Sequence, residues 1–507
     1  MHFTLLPSGV DLMTIDNSSY PMRWPCGPLE AALRRRLTPT LPDLKASLLK
    51  WSAPQSLALL RGTPINCLIV PWAAGLAEDD EQQRQLRPLL ARARVLGLQV
   101  VGRVHPPADL KNAAIRGHAA GLSALALPSV PETVLALPVI EWADRDKVGW
   151  NNSSTAVALS DAVWPGIRGN AGGNRTVAVA GPTGIPWLDS NAWLIQWARQ
   201  RCESKTLWLA FEPAQTESAR DAESYLLALA DTESCGARWI VSLDDNFRLA
   251  LDGHQTAALE RWKQINAAIE FFRSRRAWND LRPKAALGIA AMDSDAQAFM
   301  NGEILNLLGR RQLPFRILGK GPWKSEETQG LVAILCADID LPSATRRASL
   351  LKFAEHGGLL IVPNTWERPG SPLVYHDLED AYSLHRVGSG RLALARESWQ
   401  DPYRVAEEIH LLMSRRNDLF RLGNGASMSV YCTGSSDGRM TLIHLVNFDR
   451  RASRSPVSLW VKQHFREARL WKLGASDSMA LSGKPEQGGH ELALPPFVTY
   501  AAVELES

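Results

Sequence analysis

The chain has 507 residues, 45% hydrophobic and 21% charged, with a formal net charge of +3. That length exceeds one compact core and predicts about two to four domains. The near-neutral balance, with no basic run longer than RRR at 34–36, argues against nucleic acid as a partner.

No window approaches an uncharged apolar run of about 18 residues, so no membrane association is expected. The opening MHFTLLPSGVDLMTID has neither the basic region nor the apolar core of a signal peptide, which gives a cytoplasmic expectation. Cys26, Cys67, Cys202, Cys235, Cys336 and Cys432 lack CxxC or zinc spacing and read as reduced thiols, several of them buried as small apolar residues. The 11 histidines include no HExxH, so neither a metal nor another cofactor is expected. Tryptophan is in excess, 18 against seven tyrosines. Its ordinary use is to fill a core, and at strand ends it suits sugar stacking.

In chain order, a first strand is expected near VDLMTID, then strands at INCLIVPW (65–72), LQVVGRVH (98–105), SALALP (123–128) and LPVIEWAD (137–144). AVALSD (156–161), TVAVAG (176–181), TLWLAFEP and ARWIVSLDD (237–245) follow. Amphipathic stretches separate them, including DLKNAAIRGHAAG, DSNAWLIQWARQR with Asp189 as its expected N-cap, SARDAESYLLALAD and a long helix over 255–276. Near-continuous apolar strands alternating with helices imply a parallel sheet covered on both faces. No GxGxxG or GxxxxGK[ST] follows a strand, so a closed (β/α)8 barrel, a TIM barrel over 1–281, is favoured over an open nucleotide-binding sheet. GPTG at 181–184 has no lysine and is weak evidence for phosphate binding.

A second strand–helix alternation begins at RPKAALGIAAMDSD and predicts a small flavodoxin-like α/β domain over 282–378. Gly357 and Gly358 stand where a helix end needs a left-handed residue. Short alternating strands such as SMSVYCTG, GRMTLIHLVNF and VTYAAVEL then predict an antiparallel β-sandwich over 379–507.

In a parallel barrel, chemistry sits at the carboxyl ends of the strands. The polar residues there are Glu141, Asp161, Asp189, Glu212, Asp244 and Asp245, and Arg103 and His105 close the third strand. Each alone could be a cap, a turn residue or an ion-pair partner, and for Asp189 the cap is the stronger reading. Two glutamates facing each other across the mouth would suit glycosidic cleavage: one protonated to assist the leaving oxygen, one ionised to attack, about 5–5.5 Å apart in a retaining enzyme. Mutual repulsion and burial would separate their pKa values. Trp72, Trp142, Trp164 and Trp187 lie near the same ends, and core packing is the competing reading for each.

A barrel, an amidotransferase-like α/β domain and a terminal β-domain in this order resemble the family forty-two β-galactosidases. RRQLPFRIL with LVAILCADIDLPSATRRASLLKFAEHGGLLIVP is similar to that family's middle domain, and LIHLVNF with LPPFVTYAAVEL to its last. The resemblance implies a nucleophilic glutamate ending the seventh strand, matched by Glu212, and an acid/base glutamate after an asparagine ending the fourth. Ile140, not asparagine, precedes Glu141. Cys336 is followed by ADIDLP and not by a nucleophile elbow, so no amidotransferase activity is expected.

The leading expectation is a retaining glycoside hydrolase with Glu212 as nucleophile and Glu141 as acid/base. Trp142, Trp164, Trp187, Asp189, Asn191, Asp244 and Asp245 would bind a carbohydrate substrate. The alternative is a degenerate barrel that binds a glycan or a protein without cleavage, and it gains if either glutamate points into the core or pairs with arginine. A third is an enzyme of small glycosides or sugar phosphates. By the resemblance, the middle domain would also form a homo-oligomer contact, with Trp323 and Trp366 in its loops.

Overall fold

The computed structural model describes residues 15–35, 42–170, 177–178, 187–202, 204–212, 220–290, 298–319, 323, 325–338, 340–366, 373–376, 381–449 and 456–507. They fall into two compact units, one of 1–162, 204–220 and 238–273, the other of the remaining segments.

The first unit holds eight strands in sequential order: β1 Pro21–Arg23, β2 Cys67–Ala73, β3 Gln99–Val104, β4 Ala124–Leu127, β5 Val139–Ala143, β6 Ala156–Leu159, β7 Thr206–Leu209 and β8 Arg238–Trp239. Every neighbouring pair is parallel. The chain beyond β8 returns to β1 through a parallel bridge between Val241 and Met22. Arg23 N–H donates to Val241 O at 2.9 Å and Val241 N–H to Pro21 O at 3.0 Å, closing the ring. This is the expected barrel.

Strand side chains alternate between two faces. Cys67, Ile69, Val101, Ala124, Ala126, Ile140, Trp142, Ala156, Ala158, Trp208, Ala210 and Ile240 form one buried cluster, the barrel interior. The indoles of β5 and β7 fill the space left by alanines on β4 and β6. On the outer face, a Cβ at Gly102 would lie 2.6 Å from Leu122 Cδ1 and 3.0 Å from Trp72 Cβ, so this layer packs against bare backbone. The helix Leu110–Ala120 starts at Asp109, whose carboxylate accepts from the N–H groups of Lys111 and Asn112. It ends at Gly121, at φ +89°.

Two expected strands differ. Ile15 and Asp16 carry no strand, residues 10–14 lie outside the described residues, and the first barrel strand is the short Pro21–Arg23. Of 176–181, Val177–Ala178 pair with Gly169–Asn170 in a two-stranded ribbon, and the remainder, like GPTG at 181–184, lies outside the described residues.

The second unit contains a seven-stranded sheet: β9 Leu287–Ala290, β10 Phe315–Ile317, β11 Ala333–Cys336, β12 Leu359–Val362, β13 Leu373–His376, β14 Tyr382–Val387 and β15 Gly390–Ala395. Its order is β10-β9-β11-β12-β15-β14-β13. The first five of these are mutually parallel in the flavodoxin-like arrangement, and β14 and β13 add an antiparallel edge. The sheet runs past residue 378 to Ala395. Gly357 takes φ +106° after the helix Ala344–Glu355, as the double glycine predicted. Six- and four-stranded antiparallel sheets complete the unit, with Phe420, Val430, Leu445, Leu459, Leu470, Leu492 and Val503 in their shared core.

Trp366 is 3% exposed within the core of the α/β sheet. Trp323 packs on that core and donates its Nε1–H to Gly319 O at 2.8 Å. Burial pushes the Cys336 thiol up to about 12, so it is no thiolate nucleophile at neutral pH. Among the described residues no helix is long and apolar enough to cross a membrane.

Candidate functional site at the strand ends of the barrel

Glu212 follows Trp208 and Ala210 on the inward side of β7, and Arg103 follows Val101 on the inward side of β3. Arg23 ends β1. These three ends meet. Arg23 Nη1 lies 3.1 Å from Glu212 Oε2, and Arg103 Nη1 donates to Glu212 Oε1. The Arg103 guanidinium also rests over the Trp142 ring, 4.3 Å from its centroid.

The network runs on behind Arg23. Its Nη2 donates to Glu30 Oε1 at 3.0 Å, and Arg34 Nε donates to the same oxygen at 2.7 Å. Arg34 Nη1 reaches both Asp245 oxygens, at 2.7 and 2.8 Å, and Arg248 Nη2 donates to Asp245 Oδ1 at 3.1 Å. Glu30 and Arg34 are buried, while the Glu212 side chain is 41% exposed. A clamped, solvent-facing carboxylate thus tops a buried ionic ladder.

Electrostatics follow from this arrangement. Partial desolvation under the two guanidiniums opposes ionisation of Glu212, but the Arg23 and Arg103 charges outweigh it and bring its pKa down to about 2. Burial likewise opposes the Glu30 charge, and Arg23 and Arg34 hold its carboxyl below the usual range. For His105, burial and then the Arg103 charge lower the pKa to about 4, so the imidazole is neutral at physiological pH.

Acid sensitivity is a consequence. Between pH 6.5 and about 4 the unfolded chain protonates this histidine before the folded one does. Stability should therefore be full above pH 6.5 and fall as pH drops through that window, by up to about 1.4 kcal/mol per pH unit. Denaturation midpoints across this range, compared with His105→Gln, measure it. A variant with the same slope as wild type would remove the claim.

Glu141 is oriented otherwise. Ile140 and Trp142 belong to the interior, so the side chain between them points outward. It is 1% exposed, accepting Gly149 N–H at Oε1 (2.9 Å) and Asn152 Nδ2–H at Oε2 (2.8 Å). Asn152 Oδ1 in turn accepts from Ser154 and from Lys205 Nζ at 2.9 Å. The expected face-to-face glutamate pair does not form, because the strand continues through Ala143 and alternation turns Glu141 away.

Other expected residues have specific partners. Asp244 caps the helix Asp245–Asp252, accepting Phe247 N–H at 2.8 Å, and Asp245 belongs to the ionic ladder. Asp161 takes Arg145 Nη1–H at 2.9 Å, and Trp72 donates to Ala113 O on the outer layer. Trp142 is buried, with Arg103 over its ring.

Asp189, Asn191, Trp164 and Trp187 belong to the second unit. Asp189 accepts from Arg168 at 2.6 Å, which also donates to Glu303, so Asp189 is no N-cap. The helix Ala192–Arg199 instead starts after Asn191. Asn191 is buried, bonded to both backbone groups of Val163 and to Asp231. Trp164 meets Tyr225 edge-on at 5.2 Å, and Trp187 lies under Arg168 at 5.7 Å. Arg23, Glu30 and Arg34 were missed by the sequence reading; the signal available was an arginine closing the short segment SSYPMR. Among the described residues no group of three or more His, Cys, Asp or Glu side chains could hold a metal ion.

No protein-family model and no curated protein sequence matches the chain. Solved structures similar to it include a catalytic mutant of a GH42 β-galactosidase from G. stearothermophilus, at 10% identity and TM-score 0.41, over 84% of this chain and 67% of that one. The β-galactosidase of Bacillus circulans sp. alkalophilus is similar at 9% identity and TM-score 0.44, over 85% and 68%. The exo-β-1,4-mannosidase of Opitutaceae bacterium strain TAV5 gives 14% identity and TM-score 0.48, over 76% and 94%.

Proposed function

We propose that the barrel binds a carbohydrate at its strand ends and does not cleave it through a Glu141–Glu212 pair. The observation that carries this is the placement of Glu141: its carboxylate is spent on Gly149 and Asn152, on the strand face opposite Trp142. Glu212 is left clamped by two arginines. Guanidinium donors beside carboxylate acceptors suit vicinal hydroxyls, since each hydroxyl both donates and accepts. The neutral imidazole of His105 adds a group able to do either.

One observation favours hydrolysis as a second reading. Glu212 follows the seventh strand, and Arg23 and Arg103 hold its carboxyl well below the usual range, so it is anionic at neutral pH as an attacking carboxylate must be. A panel of aryl glycosides, together with calorimetric titration of free sugars, separates the two. Sugar binding that disappears in Arg103→Met, without turnover of any glycoside, is the expected result. Turnover reduced by about a thousandfold or more in Glu212→Gln would replace binding with catalysis. Neither binding nor turnover would reject both.

A further inference from the structure

A cavity of about 240 Å³ in the second unit is lined by Arg310, Arg311, Arg415 and Arg421, with His410 and Asp418 among the other walls. Its only carboxylate among these lining residues is Asp418, already shared by His410 Nε2 at 3.1 Å and Arg421 Nε at 3.0 Å. Arg311 reaches Glu407 at 3.3 Å. That leaves Arg310 and Arg415 with no ion-pair partner among the described residues.

Arg310 is the unusual one. It closes the helix Ala298–Arg310, is 6% exposed, and its Nη1 is buried without a hydrogen-bond partner among the described residues. A guanidinium is a set of donors that deprotonation does not relieve, so an unpaired buried one is strongly disfavoured unless something neutralises it. Burial lowers its pKa to about 10, with Tyr403 opposing and Arg311 adding to the shift, and it remains charged at neutral pH. The surroundings are fixed: Gln312, at φ +63°, accepts Leu422 N–H at its Oε1 (2.7 Å), joining the helix end to the strand Phe420–Gly423.

We propose that this cavity binds a tetrahedral oxyanion of the phosphate type, with Arg310 as its buried anchor and Arg415 at its rim. Guanidinium forks match such oxygens in geometry and charge. The volume suits a small anion better than a drug-sized ligand. The phosphate could be free or carried by a small organic ester, and both present the same chemistry to the cavity.

The test uses the full chain, titrated by calorimetry with inorganic phosphate and separately with glucose 6-phosphate, against chloride at matched ionic strength. One phosphate-type site per chain is expected, weakened about 10-fold or more by Arg310→Met and by a smaller factor in Arg415→Gln. Tighter binding of the ester than of the free ion would identify a phosphoryl compound as the ligand, and the reverse would identify the ion. A response to phosphate no greater than to chloride, as for an ordered water at Arg310, overturns the proposal. So does unaltered phosphate binding by a folded Arg310→Met chain; should that variant not fold, unaltered binding by the exposed Arg415→Gln overturns it.

Discussion

Replacing Glu30 with glutamine is expected to lower the unfolding free energy by about 3–5 kcal/mol, the usual effect of removing one partner from a buried ion pair. Glu30 Oε1 serves two guanidiniums at once, Arg23 at 3.0 Å and Arg34 at 2.7 Å, at a position 4% exposed. Glutamine keeps the shape and one acceptor but loses the charge that balances them. Arg34 retains Asp245 and Arg23 retains Glu212, so the network is weakened, not abolished. An exposed pair gives the contrast: Glu81 and Arg84 are 40% and 67% exposed, and Glu81→Gln should change stability by about 1 kcal/mol or less. Denaturant midpoints of the two variants decide the matter. A loss at Glu30 no larger than at Glu81 would mean that the ladder contributes nothing to the fold.

Most of the barrel was legible because its strands are buried on both faces. Cys67–Ala73, Val139–Ala143 and Ala156–Leu159 are buried throughout, and such runs announce themselves in sequence. The first strand did not. Pro-Met-Arg has no apolar run, and its pairing with β2 and with Val241 comes from ring closure, not local propensity. Finding Arg23 required finding that strand.

The site was legible only in part, for two physical reasons. A period of two makes the functional direction of a side chain depend on where a strand ends, and a shift of one residue reverses it. LPVIEWAD names the residues of β5 correctly, yet pairing continues past Glu141 to Ala143, so the tryptophan faces in and the glutamate out. Partners are the second reason. Glu212 is set by arginines from the first and third strands, a contact no local pattern encodes. Asp244 shows the opposite case, since an aspartate ahead of Asp-Asn-Phe-Arg is a helix start that local reading can supply.

Glu141→Leu should then act on stability and leave ligand binding alone. The substitution removes the acceptor for Gly149 N–H and for Asn152 Nδ2–H, both held by a side chain that is 1% exposed. Orphaning a buried donor costs about 1–3 kcal/mol. Gly149 is exposed and Asn152 half-buried, so water replaces part of the lost acceptor. A loss of about 1–2 kcal/mol is expected, offset partly by no longer burying a carboxylate. Glu141→Gln keeps one acceptor and should lose less. Asn152→Ala removes the other half of one bond, and with Glu141→Leu it should be strongly non-additive, because both act on the same loop. Sugar affinity per folded molecule should match wild type in all of these. A Glu141→Gln chain as stable as wild type but unable to bind or turn over a glycoside would show the opposite: the carboxylate would serve the ligand, and the reading of this barrel as one without an acid partner for Glu212 would fall.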